Sequence, residues 1–303
     1  MNVYDGLTAG DSGDAHWAFG TGFTEPLAGI DRDVPSGVDR ADLTAYALML
    51  GDDALVASQL LAAWTSRAPE LEEDVALANI ALDLLGQARL LLTRAGEVEG
   101  RGRDEDALAH LRAEHEFRNV HLAEIDCGPS RMGPSAPGRD FAATTARLLV
   151  FSSWKLALFA RLRDSADPVL AAVAAKAVKE LTYHRDHAAR WTVRLGDGTD
   201  ESHRRMRAGI ERVWPFVDEL FTAHPVETRL AAAGVAVDPA ELRSEVDGVL
   251  DEVFAAAGLE RPAPVPVATV AGRAGRDGVH TEAMGFLLAE MQHLHRSLPG
   301  AVW

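Results

Sequence analysis

The chain has 303 residues, of which 47% are hydrophobic, so it is long enough to bury a sizeable core. Lysine and arginine number 30 against 46 aspartate and glutamate residues, and the resulting net charge of −16 disfavours binding to nucleic acid or to an anionic membrane surface. The single cysteine, Cys127, excludes an internal disulfide and a cysteine-only metal site, and we expect an inert thiol.

The amino-terminal region shows no sustained periodicity. Residues 1–39 are rich in glycine and aspartate, which predicts a flexible extension ahead of one helical domain at residues 40–303. The extension lacks the basic and apolar regions of a secretory signal, and no uninterrupted apolar stretch reaches the ~18 residues of a membrane span. The sequence therefore predicts a cytoplasmic protein with no membrane partner.

Four long segments repeat apolar residues at three- and four-residue steps, the pattern of amphipathic helices. The first runs from Asp42 to about Arg67, and the second opens at Pro69 with an acidic first turn. The core face of the second helix is assigned to Leu71, Val75, Ala78, Leu82 and Leu85.

The third helix spans about Asp140 to Asp164 and is apolar on two faces, so it should pack on two sides. The fourth runs from Pro168 to about Leu195, and Gly196 to Gly198 ends it. Its core face comprises Leu170, Ala174, Ala177, Leu181, His184, Ala188, Trp191 and Leu195.

Shorter helices are predicted at about 200–222, 239–257 and 281–297, and no alternating strand pattern is present. The sequence therefore predicts an all-α fold. A four-helix bundle occupies about residues 42–196, and additional C-terminal helices at about 200–298 pack on it.

Four long helices raise the question of a di-iron centre, which takes a Glu from each of two helices and Glu-x-x-His from the other two. Glu180 and His184 on the fourth helix miss this spacing, and Asp83 on the second has Gly86 where its partner ligand would stand. The third helix carries no Asp, Glu or His between its two terminal aspartates. We therefore predict no catalytic, cofactor-binding or metal-binding residue.

The polar positions left at the bundle centre are Asp53, Asp83, Glu180 and His184. We interpret them as hydrogen-bonded core groups, with His184 bonded to Glu180 and Asp53 bonded to His184 or Lys155. The alternative is that the four together hold one metal ion.

Two further groups of residues carry weaker signals. His110, His115 and His121 share no ligand spacing with acids, which favours solvated helix surface. Residues 272–278 predict a loop leading into a helix, with Arg273 and Arg276 available to an anionic partner.

Several longer runs resemble the C subunits of bacterial phenylacetyl-CoA epoxidases. They are Tyr46 to Asp53, Ala68 to Arg89, Ala175 to His184, Arg194 to Asp200, Gly278 to Glu282, Leu288 to Gln292 and Pro299 to Trp303. The resemblance covers about residue 42 to the end.

This resemblance implies a ferritin-like fold and a non-catalytic, structural role in a multicomponent enzyme that epoxidises the ring of phenylacetyl-CoA. It implies a hetero-oligomer with the di-iron catalytic A subunit and the other epoxidase subunits, with NADPH, FAD and an iron–sulfur centre at the reductase. No cofactor is expected in this chain. We expect the partner to cover the broad apolar surface of the third helix.

Two alternatives remain open at this point. The first is a ferritin-like metal oxygenase or oxidase active in its own right, and the second is a free-standing helical adaptor. The metal content of the purified chain distinguishes an oxygenase from a structural subunit. Binding to a di-iron subunit distinguishes a structural subunit from an adaptor.

Overall fold

The computed structural model describes residues 27–127, 140–263 and 269–301. Within these ranges the chain forms α-helices and short 3-10 turns and no β-strand. The α-helices are α1 (Arg40–Ala62), α2 (Leu71–Glu99), α3 (Glu105–His110), α4 (His121–Glu124), α5 (Phe141–Leu162), α6 (Pro168–Gly196), α7 (Asp200–Val213), α8 (Pro225–Ala232), α9 (Arg243–Ala256) and α10 (Glu282–Ser297).

The four long helices α1, α2, α5 and α6 form the bundle. Helix α1 packs along α2, α5 packs along α6, and α2 also contacts α6. The later helices pack on this bundle, mainly α7 and α9 against α5. The predicted all-α, ferritin-like four-helix bundle with additional C-terminal helices is confirmed.

Aspartate side chains fix where the second pair of bundle helices begins. Asp140 accepts a hydrogen bond from the backbone N–H of Ala143 at 2.9 Å, and Asp167 accepts one from Leu170 at 2.9 Å. Each aspartate satisfies a backbone donor that the first helical turn leaves unpaired. The predicted starts of both helices are therefore confirmed.

The broad apolar surface of α5 is covered within this chain. Helices α7 and α9 lie against the faces that α6 leaves free. A Cβ atom at Gly209 would lie 2.7 Å from the backbone nitrogen of Ala143, so the absent side chain permits the close approach of α7. The expectation that a partner shields α5 is wrong, because the later helices take that place.

The predicted core face of α2 is also wrong. Leu71, Val75, Leu82 and Leu85 are exposed, whereas the buried face carries Leu77, Ile80, Leu84, Ala88 and Leu91. The helix is apolar on both faces, and periodicity alone did not distinguish them. The predicted core face of α6 is buried from Leu170 to Ala188, and Trp191 and Leu195 are half-buried.

The described part of the amino-terminal extension lies against the bundle. Leu27 is buried, and Ile30 and Val34 pack on the core. The Arg94 guanidinium donates to the backbone oxygen of Arg32 at 2.6 Å. The flexibility predicted for residues 1–26 and the loop predicted at 128–138 fall outside the described residues.

Candidate functional site

The bundle centre holds a buried carboxylate between two cations. Both oxygens of Asp53 on α1 accept hydrogen bonds from the Arg276 guanidinium, each at 3.0 Å. Lys155 Nζ on α5 lies 3.5 Å from Asp53 Oδ2, and the backbone N–H of Val120 donates to Oδ1 at 2.9 Å. Asp53 therefore has no free lone pair directed at a metal ion.

Lys155 is fully buried. Burial lowers the pKa of its ammonium group to about 8, while the charge of Asp53 acts in the opposite direction. The nitrogen lies 4.7 Å from the Phe159 ring centroid and 5.5 Å from that of Trp154. For Arg276, burial favours the neutral form, but the nearby carboxylates, with Asp53 the largest contributor, together outweigh it and raise the pKa. Two cationic side chains therefore face the Asp53 carboxylate.

The neighbouring aspartate on α1 is paired with a different segment. Asp52 accepts hydrogen bonds from both terminal nitrogens of Arg112, one of them at 3.0 Å, and one from the backbone N–H of Arg118 at 2.9 Å. The Arg112 guanidinium also lies 4.1 Å from the Phe117 ring centroid. The two consecutive aspartates therefore fasten two separate stretches of chain to α1.

A second polar group joins α2 to α6. His184 Nε2 lies 3.0 Å from Asp83 Oδ2, which makes a bond between the two helices. Glu180 accepts from the Gln87 side chain at 3.0 Å and from Lys176 at 2.6 Å. Asp83 and Glu180 are therefore both paired.

These contacts correct two of the predicted pairs. His184 bonds to Asp83 and not to Glu180, because Glu180 is occupied by Gln87 and Lys176. Asp53 does not bond to His184, but its predicted pairing with Lys155 is confirmed. Arg276, expected to be available to a partner, is buried against Asp53.

The four positions Asp53, Asp83, Glu180 and His184 do not form one ligand set. Asp53 lies in the cation-filled centre, and the other three lie in the α2–α6 group. Among the described residues, no three His, Cys, Asp or Glu side chains are arranged to hold a metal ion. The residues present do not fit a di-iron group, which needs several anionic oxygen ligands.

Sequence reasoning missed a buried histidine. His121, expected on the surface, has both ring nitrogens directed at oxygen acceptors: Nδ1 lies 3.1 Å from Glu219 Oε2, and Nε2 lies 2.8 Å from the Val279 carbonyl. Burial alone would lower the pKa of His121, but the hydrogen bond and charge of Glu219 raise it to about 9. The protonated imidazole of His121 therefore donates one hydrogen bond to Glu219 and one to the Val279 carbonyl.

A related contact fastens the C-terminal segment to the bundle. Glu124 is buried and accepts from the Asn119 side chain at 2.7 Å, and it lies 2.7 Å from His280 Nδ1. The backbone N–H of Gly275 donates to Glu219 at 3.1 Å. No sequence signal indicated these contacts, because the partners come from distant parts of the chain.

The exposed apolar residues of α2 form what we call the α2 outer stripe: Leu71, Val75, Leu82 and Leu85. Their exposed fractions are 76%, 54%, 64% and 38%. The steps of four, seven and three residues place them on one side of the helix. Exposed apolar residues on one side of a helix are typical of interaction surfaces.

By length and composition, α2 is the one described helix apolar enough to cross a membrane. Its inner face nevertheless packs along α1, and it carries Gln87 and Asp83, which are paired with α6. We therefore interpret α2 as a bundle helix with one uncovered face. Cys127 is buried, and burial raises the pKa of its thiol. Both features are those of an inert thiol, as the sequence predicts.

Comparison with known proteins agrees with this architecture. Residues 30–303 match the family described as "Phenylacetic acid catabolic protein". The chain is 47% identical over 261 residues to the C subunit of the 1,2-phenylacetyl-CoA epoxidase of Escherichia coli (strain K12), an alignment covering 86% of this chain and 99% of that relative. The chain therefore belongs to the phenylacetic acid catabolic protein family.

Proposed function

We propose that this chain is a non-catalytic, structural subunit of a phenylacetyl-CoA epoxidase in phenylacetate catabolism. It acts in the cytoplasm, in a hetero-oligomer with a related di-iron catalytic subunit. Similarity to the C subunit of the Escherichia coli enzyme, over almost the whole length of that relative, supports the assignment. The di-iron centre belongs to the catalytic subunit, FAD, the iron–sulfur centre and NADPH belong to the reductase, and this chain holds none of them.

The observation that carries the non-catalytic role is the pair of cations at Asp53. A di-iron site needs an excess of carboxylates at mid-bundle to balance its metal charge. Here Arg276 and Lys155 already hold the Asp53 carboxylate of α1. Their ionic contacts stabilise the bundle without a metal, as a structural subunit requires.

The α2 outer stripe is the surface that the catalytic subunit buries in this proposal. A permanent partner removes from water the apolar surface that would otherwise stay in contact with it. Tyr183 on α6, which is half-exposed and lies near His184 and His187, extends the surface beyond α2. Tyrosine is a frequent contributor to such contacts.

The oxygenase alternative requires one metal ion bound by Asp53, Asp83, Glu180 and His184. Separation of these residues into two paired groups argues against it. The adaptor alternative differs only in its partner, so co-purification distinguishes it from the proposal.

The test is co-expression with the related di-iron catalytic subunit. We expect the two to co-purify, and iron analysis to find stoichiometric iron in the complex but not in this chain alone. Stoichiometric iron or manganese bound to the isolated chain would overturn the non-catalytic role, and failure to co-purify would favour the adaptor.

A pair of substitutions tests the docking surface. Leu82→Glu places a charge in the α2 outer stripe, and Leu294→Glu is its matched control, because Leu294 is a 54% exposed leucine on α10. We expect Leu82→Glu to abolish co-purification and Leu294→Glu to preserve it. The reverse result would place the partner on α10.

A further inference from the structure

The end of α2 and the beginning of α1 border an arginine-lined cleft of about 480 Å³. Its walls carry Arg40, Arg101, Arg103, Arg112 and Arg118, and its acidic lining residues are Glu99 and Glu116. The excess of positive charge contrasts with the net charge of −16 of the whole chain. A concave surface of one sign concentrates ions of the opposite sign.

Two of these arginines are already neutralised. Arg103 donates to Glu99 at 2.8 Å, and Arg112 is held by the buried Asp52. These pairs shape the cleft wall but contribute little net charge. The attraction for a ligand therefore depends on Arg40, Arg118 and Arg101, of which Arg101 has a loose 3.8 Å contact with Glu99.

Arg118 and Arg40 make no ion pair with the described residues. Arg118 donates from one nitrogen to the carbonyls of His115 and Phe117, at 2.7 and 2.8 Å, and Arg40 donates to the carbonyl of Val98 at 2.8 Å. Each guanidinium has five N–H donors, so both retain donors for a ligand. Burial lowers the pKa of Arg118, while the charge of Asp52 acts in the opposite direction.

The rest of the cleft suits an organic group. Ala45, Leu48 and Val98 form an apolar part of the wall, beside the hydroxyl-bearing Thr44. The volume falls within the ~300–1,000 Å³ range of small-molecule sites. Guanidinium groups pair with phosphate oxygens through parallel hydrogen bonds.

We propose that this cleft binds an organic phosphate of nucleotide size, with Arg40, Arg101 and Arg118 contacting the phosphate groups. Such a ligand has two sources: a free nucleotide, or the phosphoadenosine end of a CoA thioester. The second source rests on the proposed function, whereas the ligand class does not.

The experiment is calorimetric titration of the full chain with CoA, adenosine 3′,5′-bisphosphate, ADP, inorganic phosphate and adenosine. We expect saturable binding of the organic phosphates, weakened by salt, and no binding of adenosine. Tighter binding of CoA and adenosine 3′,5′-bisphosphate than of ADP would identify CoA as the source, and equal binding would identify a free nucleotide. No saturable binding of any organic phosphate at about 1 mM would overturn the proposal.

Substitutions locate the site. Arg40→Gln and Arg118→Gln should each weaken binding about tenfold, the usual loss for a charge-assisted hydrogen bond. Arg207→Gln is the matched control, because Arg207 is an exposed arginine on α7 with only a 3.8 Å contact to Glu211. Equal weakening by Arg207→Gln would mean non-specific attraction and would overturn the assignment.

Further variants show whether ligand binding and subunit docking depend on different surfaces. If Arg118→Gln fails to fold, Arg101→Gln replaces it, because Arg101 is 76% exposed at its side chain. Arg40→Gln should still co-purify with the catalytic subunit, and Leu82→Glu should still bind CoA. Each proposal can therefore fail without the other.

Discussion

Arg276 and Asp53 lie 223 positions apart in the sequence, yet they form an ion pair with two hydrogen bonds of 3.0 Å inside the bundle. Both residues are buried, so removal of either one leaves the charge of the other buried without its partner. The pair joins the first helix of the bundle to the segment that precedes the last helix of the chain.

Removal of the arginine should therefore be costly. Among the described residues, Arg276→Met leaves Lys155 as the one cation beside Asp53, and we expect a loss of about 3 kcal/mol in the free energy of unfolding, measured by urea denaturation. Arg273→Met, three residues earlier on exposed chain, is the control and should change stability by less than about 0.5 kcal/mol. Equal stability of the two variants would mean that the buried pair contributes nothing.

The contact between His121 and Glu219 predicts a pH dependence. The folded-state pKa of His121 is raised to about 9, above the ~6.5 of an unfolded histidine. The stabilisation is therefore complete below about pH 6.5 and is lost as the pH rises toward 9, by up to about 3 kcal/mol.

The measurement compares the wild type with His121→Gln by denaturation at several pH values. Lys155 has a lowered pKa of about 8 and changes stability in the opposite direction above that pH, so the difference between the two proteins is the informative quantity. That difference should shrink steadily between about pH 6.5 and 9. A constant difference would contradict the assignment.

The two faces of α2 predict opposite responses to substitution. Leu82→Ser on the exposed face should leave the stability of the isolated chain within about 0.5 kcal/mol of the wild type. Leu84→Ala on the buried face should cost about 2–5 kcal/mol, because it leaves a cavity against α1. Denaturation of the two variants measures this, and a large loss with Leu82→Ser would mean that the outer stripe belongs to the core.

The bond between His184 and Asp83 should stabilise the bundle without serving catalysis. His184→Ala removes a buried ring and its contact to α2, with an expected loss of about 1–3 kcal/mol. Turnover by the assembled complex should persist under conditions in which the variant remains folded. Complete loss of turnover in a folded complex would contradict a structural role.

The sequence predicted the helices better than their contacts. The starts of α5 and α6 follow from Asp140 and Asp167, whose capping is a local property. The sequence could not show which face of α2 is exposed. Leu82 and Leu84 are equally apolar, and only tertiary packing distinguishes them.

The centre was predictable only in part. The lack of acidic residues and histidine within α5 follows from the sequence, and Lys155 is one of the two partners that the sequence predicts for Asp53. The contribution of Arg276 does not, because no local pattern joins residues on opposite ends of the chain. The same limit applies to His184, whose partner Asp83 lies 101 positions away.

The connection between Arg276 and Asp53 also has a consequence for folding during synthesis. During synthesis α1 emerges long before residue 276, so Lys155 is the first cation available to Asp53 and Arg276 joins it only late. A chain terminated before that point would lack the two hydrogen bonds that Arg276 donates to Asp53, and its incomplete bundle would be a better target for chaperones and proteases.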